Sequence, residues 1–331
     1  MKETNVLLIS AGRRVELVEA FKQAYQLLKV KGEVICADCN PLAPALYRAD
    51  RSYVVPRLNH PDFQSTILRI CDHHAISAVF PLIDPDIAVL SAMRPDLEKR
   101  GTVPAAVDAA GLKVVRDKFH TADFFRRLGL RTPESWLPEQ LPKQSKFPVF
   151  IKPRDGSSSK HIFTVNSQHE LDFFQSYVPD PIIQEFVDGP EITIDVLNDM
   201  SGRFITSLAR KRIEVRGGEV LKGVTVFDQK IHEDCKLIAE ALAAPGPITV
   251  QCIIQNGEPY YTEINARFGG GSPLGIAAGI HYPAILLSHL TGAPLPKPLA
   301  GSYKQGLFVS RFDHAIFIDE EAHAEMASRR I

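Results

Sequence analysis

Three side chains late in the chain have the chemistry to hold a hard cation. The segment TVQCIIQNGEPYYTEINARFG begins at Thr249 and reads as two strands around the QNGEP turn. Gln251 lies on the first strand. Glu263 and Asn265 lie on the second, two residues apart and therefore on one face. Their oxygens suit a Mg²⁺ ion that stays bound to the phosphates of a substrate. Arg267 follows two residues later, where its planar fork can hold a phosphoryl oxygen. A solvated sheet face is the competing reading of the same residues.

Three other stretches add to this set. In KPRDGSSSK, Lys152 closes a strand and is followed by Gly156, Ser157, Ser158 and Ser159. Such a loop can fold its N–H groups around phosphates, with Lys152 as a point cation. It is not a Walker A sequence, and an exposed hairpin turn remains open. In IIQEFVDGPEITID, the backbone of Glu185, Phe186 and Val187 can meet an adenine edge, and Glu191 can accept from ribose hydroxyls. In SLARKRIEVRGG, Arg210, Lys211 and Arg212 cluster beside a glycine-rich turn. They either receive a γ-phosphate and an acyl phosphate or form a solvated face.

The elements that must position these groups fall into two halves. Residues 5–9, 33–37, 53–56 and 75–82 read as strands alternating with helical patterns at 15–29 and 62–73 and a further helix after Asp84–Pro85–Asp86. This βαβ alternation predicts a parallel sheet whose ligand-binding loops sit at the strand C-terminal ends. Ser10–Arg14 and Asp84–Asp86 occupy such ends. Arg13 or Arg14 can grip a carboxylate there, or merely pair with solvent. Asp84 or Asp86 can bind an amine, or cap the following helix. After the Pro- and Lys-rich stretch LPEQLPKQSKFP the pattern changes to strand pairs with turns, an α+β half with an antiparallel component. Near the end, LFVSRFDHAIFI can add strands and EEAHAEMASRR can form a terminal helix or a frayed end.

In order and spacing these segments resemble the ATP-grasp superfamily, most closely the carbamoyl-phosphate-synthase large-subunit type, over roughly residues 5–295. RDKFHTADFFRRLGLRTPES is similar to that group's entry into its nucleotide domain. The resemblance makes Lys118 and Lys152 the two nucleotide-phosphate lysines and DGSSSK a mobile lid. It places Glu185 and Val187 at the adenine and Glu191 at the ribose. Gln251, Glu263 and Asn265 become the Mg²⁺ ligands (Mn²⁺ able to substitute), and Arg267 a phosphate contact. NARFGGGSP implies an acceptor end lined by Gly270 and Gly271. Ala266 replaces the proline usual in that branch, and a single unit in 331 residues is too short for a whole synthase.

The expected architecture is an α/β parallel-sheet domain over residues 1–112, then an α+β ATP-grasp fold of two lobes over 113–295, with the small lobe at about 120–187. Residues 296–331 would extend it. The expected activity is a carboxylate–amine ligase that forms an acyl phosphate and releases ADP and phosphate, with Arg267, Arg210, Arg212 and Asn265 at the reacting groups. Two alternatives stand beside it. One is a carbamoyl-phosphate-synthase-like subunit that phosphorylates bicarbonate or carbamate with a partner. The other is a non-catalytic ATP-binding protein. A nicotinamide-linked dehydrogenase is disfavoured, because SAGRRVE lacks G-x-G-x-x-G.

Composition is consistent with that assignment. Lys plus Arg number 38 against 39 Asp plus Glu, a net charge of −1, which argues against broad binding to nucleic acid or anionic membranes. Hydrophobic residues are 45% and charged residues 23%, as in water-soluble globular proteins. Five scattered cysteines show no zinc or disulfide spacing, the Cys36–Cys39 pair falling in and just after an apolar strand. With no signal-like leader or membrane span visible, the expected compartment is the cytoplasm and the expected partners are small carboxylate and amine substrates. A homodimer is only the default expectation.

Overall fold

The apolar run NVLLI is buried along its whole length as β1 (Asn5–Ile9), as expected for a strand covered on both faces. In the computed structural model, which describes residues 3–142, 146–156, 161–217, 219–295 and 303–331, it is the centre of the first of three sheets. Helix α1 (Val15–Leu28) buries Leu17, Val18, Phe21, Ala24, Tyr25 and Leu28 at helical spacing against it. Then follow β2 (Val34–Asp38), β3 (Arg51–Val54), α2 (Phe63–His73), β4 (Ile76–Pro81), α3 (Asp84–Glu98) and β5 (Val103–Pro104). The sheet order is β3-β2-β1-β4-β5, and every pairing is parallel. The chain therefore reverses its direction of growth between β1 and β4. Loops leaving the carboxyl ends of those two strands flank the crevice where open α/β sheets bind ligands.

Two helices, α4 (Ala109–Arg116) and α5 (Lys118–Arg127), lead onward, each begun by an aspartate whose side chain accepts from the first turn, Asp108 from Gly111 and Asp117 from Phe119. The small lobe contains β6 (Ser135–Trp136), β7 (Val149–Pro153), β8 (Phe163–Val165), α6 (Gln168–Tyr177) and β9 (Pro181–Glu185). Its four strands are antiparallel in the order β6-β9-β7-β8.

The large lobe is built on β10 (Glu191–Asn198), β11 (Phe204–Arg216), β12 (Glu219–Val226), α7 (Gln229–Leu242), β13 (Pro247–Gln255) and β14 (Glu258–Asn265). Helices α8 (Ser272–Ala277) and α9 (Tyr282–Thr291), strand β15 (Phe308–Ser310) and α10 (Glu320–Ser328) complete the chain. The six-stranded order is β14-β13-β10-β11-β12-β15, with antiparallel pairing throughout. One face of this sheet packs on α7, where Ile231, Cys235, Ile238 and Ala239 meet Ile192, Ile194, Val250 and Ile264 in one core. Alternation then turns the neighbouring residues of each strand to the opposite face.

The parallel-sheet domain and the two following lobes, one on a four-stranded and one on a six-stranded antiparallel sheet, agree with the sequence. Among the described residues the terminal segment adds less strand than its composition suggests, Phe308–Ser310 alone. Among the described residues, no helix is long and apolar enough to cross a membrane.

Candidate active site

The face of the large sheet away from α7 carries a continuous polar set. On β10 it shows Glu191, Thr193 and Asp195, each two residues from the next. Across the strand pairs, Thr193 lies opposite Arg210 on one side and Gln251 on the other. Gln251 in turn lies opposite Glu263, and Thr249 opposite Asn265. Residues far apart in sequence thus share one surface because antiparallel register places them there.

Register also corrects one expectation. Arg210, Lys211 and Arg212 are consecutive in the middle of β11, so they alternate between faces and do not form one cluster. Arg210 is 3% exposed and gives Nε and Nη2 to the two oxygens of Asp195, at 3.1 and 3.2 Å. Arg212 Nη1 lies 2.5 Å from Glu191 Oε1, which also accepts from Gln251 Nε2 at 2.9 Å. Lys211 is exposed on the other side of the strand.

Lys152, near the end of β7, is buried and close enough to Glu263, Lys118 and Glu191 for their charges to act on it. Burial pushes its ammonium down to about 8. Glu263 opposes that shift, Lys118 adds to it, and Glu191 opposes it. Lys118 opens α5, and its Nζ donates to the carbonyl of Gly156 at 2.8 Å. Beside it Asp117 holds Arg154 at 2.6 Å, which fixes the root of the loop. Ser157, Ser158 and Ser159 lie outside the described residues. At the end of β9, the Glu185 N–H donates to Glu134, so that donor of the 185–187 backbone is already taken and does not face a base. Val187 is buried and Phe186 partly buried.

Glu263 and Asn265 line a cavity of about 260 Å³ together with Lys118, Gly156 and Asp84. A second cavity, of about 210 Å³, continues past Gln251 and Asn265 to Thr193, Arg210, Arg267 and the glycines 269–271. It reaches the crevice at β1 and β4, where Arg14 and Asp84 also line it. Arg267 pairs there with Asp84, Nε to Oδ1 at 2.6 Å, across 183 residues of sequence.

The adjacent Asp86 has a different role. It is buried, and its carboxylate accepts from Ser10 Oγ at 2.7 Å and from the N–H groups of Leu82 and Ile83. Burial raises its pKa to about 6 even though these hydrogen bonds act the other way. It caps α3 and fixes the SAGRR loop; it does not await an amine. Asp38 secures the same loop by accepting from the Gly12 N–H at 2.8 Å.

The glycines are required by close approach. A Cβ on Gly271 would lie 2.4 Å from Arg210 Cζ, and one on Gly269 would lie 2.6 Å from Asp195 Oδ1. A Cβ on Gly270 would lie 2.9 Å from Arg14 Nη1. Buried Phe268 anchors the turn by packing on Phe21 and Phe80, with ring centroids at 6.1 and 5.7 Å.

Glu263, Asn265 and Gln251 together fit a magnesium ion carried by phosphates. One carboxylate and two amides on neighbouring strands offer oxygens without a full protein cage. Among the described residues no cluster of three or more His, Cys, Asp or Glu offers such a cage elsewhere.

Thr193, Asp195, Glu219 and Arg311 belong to these surroundings and did not stand out in sequence. The alternation E-I-T-I-D carries a signal for the first two. Thr193 Oγ1 is buried without a hydrogen-bond partner and lines the second cavity. Glu219 and Arg311 had no local signal.

Comparison with known proteins adds two family matches. Residues 6–105 match the PylC-like N-terminal domain, and residues 115–271 match the ATP-grasp domain. The chain is similar to a D-alanine–D-alanine ligase of Fusobacterium nucleatum, 26% identical over 192 residues, covering 52% of this chain and 66% of that protein. It is also similar to a 3-methyl-D-ornithine–L-lysine ligase of Methanosarcina barkeri, 24% identical over 280 residues, covering 83% and 71%. In fold it resembles the biotin carboxylase domain of a Hydrogenobacter thermophilus 2-oxoglutarate carboxylase, with a TM-score of 0.73 at 15% identity, covering 93% and 74%.

Proposed function

We propose that this chain, a member of the ATP-grasp superfamily, uses ATP to phosphorylate a small carboxylate-type oxyanion and passes the acyl group of the mixed anhydride to nitrogen. The observation that carries this reading is the shared polar face, where the Glu263–Asn265–Gln251 oxygens and Arg210 line two adjoining cavities, with buried Lys152 near enough for Glu263 to act on its charge. Superfamily membership is broader than the carbamoyl-phosphate-synthase type expected from sequence, since the relatives include amino-acid ligases beside carbamoyl-phosphate synthases.

Bicarbonate is the first phosphoryl acceptor to consider. The crystal of the Hydrogenobacter carboxylase domain contains MgADP, ADP and bicarbonate, and its fold aligns with 93% of this chain. An amino-acid carboxylate is the second reading. It draws on the two ligases, and on the placing of Asp84 beside Arg14 and Arg267, a setting that suits an ammonium as well as a carboxylate.

In either case an acceptor oxygen attacks the γ-phosphorus, the bond to the β-phosphate oxygen breaks, and ADP leaves. A nitrogen lone pair then attacks the acyl carbon and expels phosphate. Lys152 and Lys118 would neutralise phosphate oxygens. Arg210, fixed by Asp195, and Arg267, once freed from Asp84, would hold the acceptor's developing charge. Glu263, Asn265 and Gln251 would hold Mg²⁺, which when bound supplies charge neutralisation between β- and γ-phosphates.

The test is ADP and phosphate release with ATP and Mg²⁺ (a Mn²⁺ arm in parallel), with bicarbonate in one arm and pooled amino acids plus amines in another. Release that needs bicarbonate selects the first reading, and release that needs an amino acid selects the second. In either arm Glu263→Ala should lower the rate about 100-fold. ATP binding with no release in any arm, or full activity in Glu263→Ala, would remove the proposal.

A further inference from the structure

Outside the phosphate-facing groups, the crevice mouth holds an unequal ion cluster. Three guanidinium groups converge on one carboxylate: Arg14 at 3.4 Å, Arg13 at 3.5 Å and Arg311 at 3.1 Å from Glu219. Arg311 also reaches Glu16, a half-exposed residue on the outer side, at 3.4 Å. The other nearby acids are committed elsewhere, Asp84 to Arg267 and Asp313 to Arg216. One ion pair needs one cation; here three guanidinium groups share Glu219, Arg311 alone having a second acid in exposed Glu16, and Arg267 acts on Arg14 from close by. Burial lowers the Arg14 pKa; Glu219 opposes this, while Arg267, Arg311 and Arg13 push it the same way. Arg14 and Arg311 are partly removed from solvent and Arg13 adds its charge from an exposed position, so an additional anion is favoured there.

The cluster is built rather than incidental. Arg311 is tied by its backbone N–H to the Leu221 carbonyl, two residues from Glu219 on β12. Gly270 comes so close to Arg14 and Glu219 that a Cβ would lie 2.9 Å from the one and 3.1 Å from the other. The same glycine lines the cavity that holds Arg210 and Arg267. An anion seated on Arg14 and Arg311 would therefore place the rest of its molecule toward the reacting groups.

We propose that Arg13, Arg14 and Arg311 form a subsite for a carboxylate or phosphate carried by the nitrogen-donating substrate, with Glu219 as an internal counter-ion that this group displaces. The inference rests on the reading above for the identity of the substrate, but not for the existence of the subsite. It makes the nucleophile an anionic amine and gives the C-terminal segment a place in specificity.

The protein, saturated with MgADP to fill the phosphate site, is titrated calorimetrically with malonate and with inorganic phosphate. Arg311→Gln should weaken binding about tenfold, and Glu219→Gln, which removes the internal competitor, should tighten it by a similar factor. The opposite signs separate displacement from general damage, and Glu219→Gln still decides the matter if Arg311→Gln fails to fold. The tighter of the two anions identifies the group recognised. No binding of either anion, or unchanged affinity in both variants, overturns the subsite. In the ADP-release assay, amino acids should be used and their decarboxylated amines should not; equal use of both overturns the assignment to the nitrogen donor. A chain that releases no ADP in any arm, yet binds malonate through Arg311, loses the function proposed above and keeps the anion site.

Discussion

Two residues give opposite tests of what burial is for. Lys152 is held down to about 8 from an ordinary 10.5, with burial as the first cause. An arriving triphosphate favours the charged ammonium, so above pH 8 binding must take up a proton and affinity should fall as pH rises. Calorimetry at pH 9 in two buffers of different ionisation heat should show that uptake, and at pH 7 it should vanish; no uptake at pH 9 would separate Lys152 from the phosphates. Folding has its own dependence: between about 8 and 10.5 the unfolded chain binds more protons, so this residue's contribution makes stability rise with pH through that window. Thr193 is the reverse case, a buried hydroxyl without a partner between Arg210 and Gln251. Thr193→Val removes an unsatisfied group, so stability should hold or rise, while ADP release should drop about tenfold and recover in Thr193→Ser. A stable valine variant with full activity would make Thr193 a packing residue only. The shared face of Glu263 and Asn265 was legible because strand period alone puts residues two apart together, and Gln251 joins them through the β13–β14 register around the turn. The same period explains why Arg210, Lys211 and Arg212 misled as a run of cations. Glu219 and Arg311 were not legible, since 92 residues separate partners that meet only after β12 and β15 have folded.

At the scale of elements, strands and helices followed apolar periodicity closely, and the loops between them did not. Helix α3 begins at Asp84 itself, so the DPD sequence forms its first turn, and Asp86 turns inward as a cap. Nothing in D-P-D separates that role from ligand binding, because either use needs a carboxylate at a strand end. The glycine run after β14 gave a clearer signal, though its reason lies in three dimensions: the backbone packs against the Arg210–Asp195 pair. Gly271→Ala would put a methyl 2.4 Å from Arg210 Cζ, so the turn or the guanidinium must shift. The expected cost is about 1–3 kcal/mol in stability, by overpacking. Turnover should fall much more than nucleotide affinity, since Lys118 and Lys152 belong to other elements. A variant with lowered ATP affinity and unchanged turnover would place the glycine turn on the nucleotide side instead.

Over the whole molecule, the C-terminal segment joins parts that sequence separates widely. Its first stretch secures the large lobe: Tyr303 donates to the Val226 carbonyl, and β15 pairs with β12. Its last stretch crosses to the first domain, where Met326 is buried in the core shared with α1 and α9. The Val54 N–H on edge strand β3 donates to the Arg329 carbonyl, and Arg330 donates back to Val54. An uncovered strand edge leaves backbone groups to water or to another chain, so this contact both closes the sheet and ties the domains. Removing residues 319–331 should therefore cost about 2–5 kcal/mol through the lost Met326 burial alone. Amide exchange should accelerate at Tyr53–Val55 while β10 and β13 stay protected, because their partners lie within the large lobe. ATP binding should survive, since Lys118, Lys152 and Glu263 belong to α5, β7 and β14, none of which is removed. The segment acts as a brace if β3 opens and the nucleotide still binds. If β3 exchange is unchanged and ATP affinity falls, its influence runs through the crevice mouth, where Arg311 meets Glu219, and the effect on the first domain is secondary.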